Sequence, residues 1–507
     1  MTPTKTITLT NNLDAIIAAI IGAAIIYYFT TIHGIGISPD SLTYTSVARN
    51  MQLGRFWYQF DNMPLIVFPC FYPSLLGGIM FISHHDILTI APSLNATLFG
   101  CTIFLSGCIV QQFAPTAKLY KWLLLSVIIL SSSLIEIYSM LWSETLFILL
   151  LLLFIIALHK YATNRSFKQL IIVAIIAAIA CITRFAGVTF IAITGLILLI
   201  DSSLKWHKKW WHMIVFGLIS ISLLVSNLLY NYHLVGTLTG DRQKSLTPFT
   251  TNFQFYSNVM WDWLKLPEGR YTYAAIIGVA LLLAFTAIII KRWWYQQDID
   301  SYPNIAAATF VIYVVFIVAT ASISRYEQIN NRLFSAAYIP LLLASTFWLP
   351  STIGKLATKP LRYTATAASL AIASLFQFQQ YHWVSDWRGM VINYGIPGYT
   401  DATWQQSPIV QYLQQHHNNF KPSIPIYANA NDAVYFFSGL SCETVPEAAH
   451  YQEIKNYYNE QPHYIVWFTN EFDNPNILRL QALQQYRHLD TLQTFSDGYI
   501  LMSTKKK

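Results

Sequence analysis

The sequence predicts a polytopic α-helical membrane protein that carries a small α/β domain at its C-terminal end. Three observations predict it. Of 507 residues, 54% are hydrophobic and 11% charged, with a mean hydropathy of +0.42. A soluble domain carries about 25% charged residues, so this chain could not cover a water-facing surface. Apolar runs long enough, or nearly long enough, to cross a bilayer recur up to residue 380. From Tyr381 onward the chain turns polar and rich in Gln, Asn and His, and its apolar runs become short and strand-like.

Eleven spans are expected, at 13–32, 87–110, 122–138, 145–159, 170–182, 187–200, 213–230, 273–290, 305–321, 336–349 and 364–380. The first is read as a retained helix rather than a cleaved signal, because Lys5 is the only early positive charge and no small-x-small site closes the run. Gly187 marks a break between two short helices that meet near the outer surface.

Charge sets the expected orientation. With the N-terminus inside, the inner connections carry Lys118 and Lys121; Lys160, Arg165 and Lys168; Lys205, Lys208 and Lys209; Lys291 and Arg292; and Lys355, Lys359 and Arg362. Every one is short and basic, as the positive-inside rule requires. Trp210-Trp211 and Trp293-Trp294 flank two of these clusters as interface anchors do. The net charge of +7 is thus spread over short loops, which speaks against a nucleic-acid partner.

The long segments then fall outside, at 33–86, 232–271 and 381–507. The expected division is a membrane domain, 1–380, and an extracytoplasmic α/β domain, 381–507. Strand-like runs at 424–428, 464–468 and 498–502 alternate there with helical stretches at 407–416 and 477–486. Cys101, Cys108 and Cys181 lie in apolar runs as small core residues. Cys70 and Cys442 both fall outside, but their spacing does not argue for a disulfide.

Chemistry concentrates just after the first span. Ser38-Pro39-Asp40-Ser41 reads as a helix start: Ser38 can cap, Pro39 suits the first helical position, and Asp40 falls in the first turn. Leu42, Tyr44, Val47, Ala48 and Met51 give that helix an apolar side. Asp40 favours the helix dipole, which is its structural role. An ionised carboxylate at the membrane surface can also take a proton from an attacking hydroxyl, which is a general base's role.

Other residues carry two readings each. Arg184, Arg325 and Arg332, with Arg49, Arg55, Arg242, Lys244 and Arg270 in the loops, lie outside against the charge trend. Guanidinium groups suit phosphate oxygens, or they pair with Glu144, Glu327 or Asp61, or snorkel. For Arg184, beside an apolar run, phosphate or ion-pair duty is expected; for the loop cations the structural role is. Glu144 reads as a second acid, a metal ligand or an ion-pair member, with the last favoured. His84-His85-Asp86 reads as a solvated turn rather than a metal site. Trp261-Asp262-Trp263 suits either sugar stacking or the membrane interface.

The segment Asp40, Ser41, Tyr44, Ala48, Asn50 and Gly54 resembles the first outer loop of the GT-C membrane glycosyltransferases, in the style of bacterial protein O-mannosyltransferases and lipid A aminoarabinose transferases. Phe68-Pro69-Cys70-Phe71-Tyr72-Pro73 resembles the Phe-Pro-Pro-x-Tyr-Pro stretch that follows in that loop, and Pro92-Ser93-Leu94-Asn95-Ala96 the start of the next helix. Ser143-Glu144, Thr183-Arg184-Phe185-Ala186-Gly187 and Arg332-Leu333-Phe334-Ser335, with Tyr338-Ile339-Pro340 behind it, match later stretches in order. The resemblance covers most of the membrane part and none of the tail. Better-studied members carry Asp-Glu where this chain has Asp40-Ser41, and Cys70 replaces a proline, so the acceptor class does not carry over.

The resemblance implies an inverting glycosyltransferase in a bacterial cytoplasmic (inner) membrane. The donor is a sugar on polyprenyl phosphate or diphosphate at the outer leaflet; the acceptor hydroxyl belongs to an unidentified glycan, lipid or protein. Asp40 is the expected base and Arg184, Arg332 and Arg325 the expected phosphate ligands, with Tyr44, Tyr72 and Glu144 supporting the cavity. No metal or other cofactor is required where arginines hold the phosphate. A transporter or lipid flippase would instead show mid-span charges or paired broken helices. A non-catalytic scaffold would show no outer arginines around a carboxylate.

Overall fold

The structure, a computed structural model, describes residues 12–240, 242–266, 273–325, 327–448, 451–469 and 477–506. Lys5 and Arg270 lie outside the described residues.

Along the chain, α1 (Leu13–Ile32) leads into a loop that holds α2 (Pro39–Gln52) and α3 (Phe71–Ser83). Then come α4 (Ile87–Phe113), α5 (Lys118–Ile129), α6 (Ser132–Ser139), α7 (Glu144–Asn164) and α8 (Phe167–Thr183). A 3₁₀ turn, Phe185–Gly187, joins α8 to α9 (Val188–Ile200). The helices α10 (Trp206–Val235), α11 (Phe249–Trp263), α12 (Ala274–Ile289), α13 (Tyr302–Ile323), α14 (Asn331–Thr346), α15 (Leu349–Gly354) and α16 (Lys359–Tyr394) follow.

Each expected span falls on a helix, but fewer helices qualify as spans. Among the described residues, seven are long and apolar enough to cross a membrane by length and composition, and the α5–α6 pair, bent by 48°, makes an eighth when counted as one. The remainder of the expected eleven are α8, α9 and α16. At 17 and 13 residues, α8 and α9 fall short of the roughly 20 residues that a bilayer asks for. The 36-residue α16 is long enough but broken up by polar side chains such as Gln377, Gln379 and Gln380. The bend between α5 and α6 has a local cause. Ser131 leaves the helical path and its side chain caps α6 by accepting from the Leu134 amide at 3.3 Å.

Contacts divide the chain into two compact units, one of Met1–Thr31, Ile66–Tyr72 and Thr89–Gly389, the other of Ile32–Leu65, Pro73–Leu88 and Met390–Lys507. The first unit is the helical bundle, in which small residues let helices approach. A Cβ at Gly107 of α4 would stand 2.5 Å from the Ala15 Cβ of α1, and one at Gly100 would stand 3.2 Å from the Ala19 carbonyl. Lys121, expected in an inner connection, instead lies within α5 at 1% exposure. Its ammonium meets Asp14 at 2.6 Å and Gln111 at 3.0 Å, since a buried lysine needs partners. At the end of α7, Arg165 clasps Asp201 with two hydrogen bonds of 2.8 and 3.2 Å.

The segment 232–271, expected as loop, contains the 15-residue α11. Its buried residues Asn252, Tyr256, Val259, Met260 and Trp263 recur at helical spacing, among polar neighbours that keep it from reading as an apolar run.

The second unit joins much of the first long loop to the C-terminal segment. After α16 come α17 (Ala402–Gln405), α18 (Pro408–His416), β1 (Ile426–Ala428), α19 (Asn431–Ser438), β2 (Glu443–Thr444), α20 (Tyr451–Asn459), β3 (His463–Phe468), α21 (Leu480–Tyr486), β4 (Arg487–Phe495) and β5 (Gly498–Lys505). The sheet runs β2-β1-β3-β5-β4, with β1 parallel to β2 and β3, and β5 antiparallel to β3 and β4. The three strand-like runs became β1, β3 and β5. The edge strand β4 was not expected, because only Arg487 is buried along it and its sequence is polar. Arg487 itself is 1% exposed and donates to Ser503 Oγ at 2.6 Å and to the carbonyls of Tyr458 and Glu460 at 2.9 and 3.0 Å. Its planar fork thus ties β4, β5 and the end of α20 together.

The same unit anchors the start of α2. The Tyr399 amide donates to the Ile37 carbonyl at 2.9 Å, and Thr400 Oγ1 to the Ile35 carbonyl at 2.9 Å. Gly398 has φ +130°, and a Cβ there would stand 2.3 Å from the Ile37 oxygen. Only glycine lets this strand-like contact close so tightly. Ser441 reaches the Phe60 carbonyl at 3.0 Å, and the Phe60 and Tyr435 rings stack at 4.9 Å. None of the five cysteines is disulfide-bonded.

Candidate active site

In the second unit, Ser38 caps α2. Its side chain accepts from the Ser41 amide at 3.3 Å, and the Ser41 hydroxyl accepts from the Ser38 amide at 3.1 Å. Pro39 opens the helix and half-buried Asp40 stands in its first turn. Tyr44, one turn further on, is 2% exposed. The other motif residues shape the loop: Asn50 Nδ2 donates to the carbonyls of Tyr58 and Gln59 at 2.8 and 3.0 Å, and Gly54 turns the chain at φ +76°. Arg49 is held by Asp86 at 2.7 Å, so His84-His85-Asp86 gives its acid to an ion pair. Burial works against the charge on Asp86, yet the Arg49 fork and the Leu88 amide keep its pKa below the usual carboxylate value.

In the helical unit, three expected residues meet. Glu144 opens α7 at 2% exposure. Its Oε1 lies 2.6 Å from Arg184 Nη1 and 2.6 Å from Arg332 Nε. One carboxylate oxygen therefore holds two guanidinium groups, each by one edge. Arg184 also donates to Ser143 Oγ at 3.0 Å, and Arg332 lies over the Trp142 ring at 4.2 Å and 3.8 Å from Glu327.

The backbone explains how these charges reach one place. Arg184 ends α8 in an extended conformation, and the chain folds straight back through the 3₁₀ turn. A Cβ at Gly187 would stand 2.4 Å from the Ala180 carbonyl carbon, so this hairpin between α8 and α9 needs glycine. Arg332 lies in the first turn of α14, whose cap is Asn330. A cation there opposes the helix dipole, which Glu144 offsets. Glu144, by contrast, sits at the favourable end of its own helix. Behind it, Asn95 Nδ2 donates to the carbonyls of Tyr138 and Met140 at 2.9 and 2.8 Å, and the Tyr138 hydroxyl donates to the Thr145 carbonyl at 3.1 Å. These bonds fix the segment that presents Trp142, Ser143 and Glu144.

Tyr72 is fully buried in the same unit. Arg325 is held elsewhere: its backbone amide and its guanidinium both engage Gln243. Arg242 lies 5.9 Å from the Phe185 ring centroid. Among the described residues, no three His, Cys, Asp or Glu side chains gather as a metal site.

One carboxylate of this unit was not expected to matter. Glu136 of α6 accepts from Asn331 Nδ2 at 2.8 Å, and Asn331 precedes Arg332. A lone acid inside an apolar run was the signal that could have found it.

No protein-family model and no curated protein matches the chain. Among solved structures, ArnT from Cupriavidus metallidurans in the apo state matches with a TM-score of 0.58 at 10% identity, over 94% of this chain and 96% of that one. ArnT from the same organism bound to undecaprenyl phosphate matches with a TM-score of 0.57 at 11% identity, over 98% of both chains. At this identity the likeness is one of architecture: the chain shares the fold of ArnT.

Proposed function

We propose that the chain is an inverting glycosyltransferase that moves a sugar from a polyprenyl-phosphate donor to an acceptor hydroxyl. The observation that carries this reading is the pair of guanidinium groups gathered on buried Glu144, in a fold shared with a protein solved with undecaprenyl phosphate. Arg184 and Arg332 bind the donor phosphate, Glu144 orients both arginines, and Tyr72 supports the cavity. Asp40 takes the proton of the acceptor hydroxyl as its oxygen attacks the anomeric carbon. The bond from that carbon to the phosphate oxygen breaks, and the arginines stabilise the charge that develops on the leaving phosphate.

Replacing Arg184 tests the phosphate role. Lysine keeps the charge but loses the planar fork. Arg184→Lys is expected to weaken binding of polyprenyl-phosphate sugar, and Arg184→Ala to weaken it further. Wild-type affinity in both variants would make Arg184 structural.

The site is proposed to face the outer side of a bacterial cytoplasmic membrane, with the N-terminus inside and the C-terminal domain outside. An impermeant thiol reagent on intact cells is expected to label a cysteine placed at Ser496 and not one at Lys208. The opposite pattern would reverse the topology and remove an outer-leaflet donor.

A further inference from the structure

A cavity of about 930 Å³ lies in the helical unit between the start of α6, the end of α11, the start of α14 and the middle of α16. It stands near the top of the roughly 300–1,000 Å³ range of small-molecule sites, and the phosphate-binding role assigned to the arginines does not use it. Its lining mixes two indoles, two carboxylates and one ammonium. Trp263 is fixed by Nε1 donating to Asn331 Oδ1 at 2.8 Å, and the other end of Asn331 holds Glu136. Lys265 donates to Ser132 Oγ at 2.9 Å and lies 6.0 Å from the Trp383 ring centroid. Asp262 completes the charged set. Ser133 also lines the cavity at 2% exposure, and its hydroxyl has no hydrogen-bond partner among the described residues.

These features select a ligand class. An acyl chain would strip water from carboxylates and amides without replacing their hydrogen bonds. A phosphate would meet two acids against one cation, and burial already disfavours the charged form of that lysine. A sugar ring fits: its C–H face lies on an indole, and its hydroxyls both donate and accept. The excess of acid suits a neutral or amine-bearing sugar. Asn331, which lines the cavity, and Arg332, which meets Glu144, are consecutive residues in the first turn of α14.

We propose that this cavity seats a carbohydrate ring of the acceptor, which makes the acceptor a glycan or the sugar head of a glycolipid. The inference rests on the glycosyltransferase reading above. It is tested on the full-length protein in nanodiscs with a diazirine-bearing methyl glucosaminide, with labelled peptides mapped by mass spectrometry. Saturable labelling of the peptides holding Trp263 and Trp383 is expected, displaced by unlabelled methyl glucosaminide and not by undecaprenyl phosphate. Glu136→Gln and Trp383→Leu should each cut that labelling about tenfold while undecaprenyl phosphate still binds. Displacement by undecaprenyl phosphate would assign the cavity to the donor and overturn the proposal. Absence of saturable labelling in a protein that binds undecaprenyl phosphate would overturn the acceptor site alone. Failure to bind undecaprenyl phosphate would count against the glycosyltransferase reading itself.

Discussion

Asp40→Asn is expected to lower sugar transfer by about a hundredfold or more, within the range assigned to general acid–base groups, while donor binding survives. Asparagine keeps the size and shape of the side chain at the second position of α2, and it leaves the Ser38–Ser41 cap intact. What it removes is the ability to take a proton. Rates measured with excess donor and acceptor separate this loss from weaker binding. Asp40→Ala should lose as much activity as the asparagine variant, since neither can accept the proton. Wild-type turnover in Asp40→Asn would remove the residue from the mechanism and leave it as a helix-start acid.

Glu144→Ala is expected to cost about 3–5 kcal/mol of stability, the range for breaking a buried pair from one side. The Glu144 side chain is 3% exposed, and those of Arg184 and Arg332 are 16% and 12% exposed. Removing the carboxylate leaves two like charges facing each other with little water between them. The hydrogen bond from Arg184 to Ser143 cannot neutralise them. Thermal unfolding in detergent reads the loss. A double-mutant cycle isolates its cause, because Arg332→Leu should cost less in the Glu144→Ala background than in the parent. Equal costs in both backgrounds would show that the pair does not couple and that Glu144 does not hold the arginines.

Much of this was written locally and could be read. Hydropathy set the helices, since a segment in lipid must be both apolar and long. The start of α2 was legible because Ser, Pro and Asp each have a positional preference there. Gly187 was legible as a break, and the contact its missing Cβ permits explains why. Other features depend on neighbours that the sequence does not place. The helix α11 is amphipathic and buried by α12 and α13, so its polar face concealed it. Edge strand β4 has a solvated side and only Arg487 as an anchor. Glu144 was read as an ion-pair member, but its partners lie 40 residues away in Arg184 and 188 away in Arg332. Only the folded chain shows that both meet one oxygen. The cavity beside Asn331 is assembled from four helices; Trp261-Asp262-Trp263, which suits either sugar stacking or the membrane interface, supplies two of its lining residues, but the sequence does not show the others that join them.

Donor recognition is most directly measured by native mass spectrometry of the full-length protein with undecaprenyl phosphate and, separately, with undecaprenol. The two lipids share a chain and differ in the phosphate. One equivalent of the phosphate is expected to bind, with the alcohol bound at least tenfold more weakly, and Arg184→Ala should erase most of that difference. Equal retention of the two lipids, or retention of neither, would contradict a phosphate site built on Arg184 and Arg332.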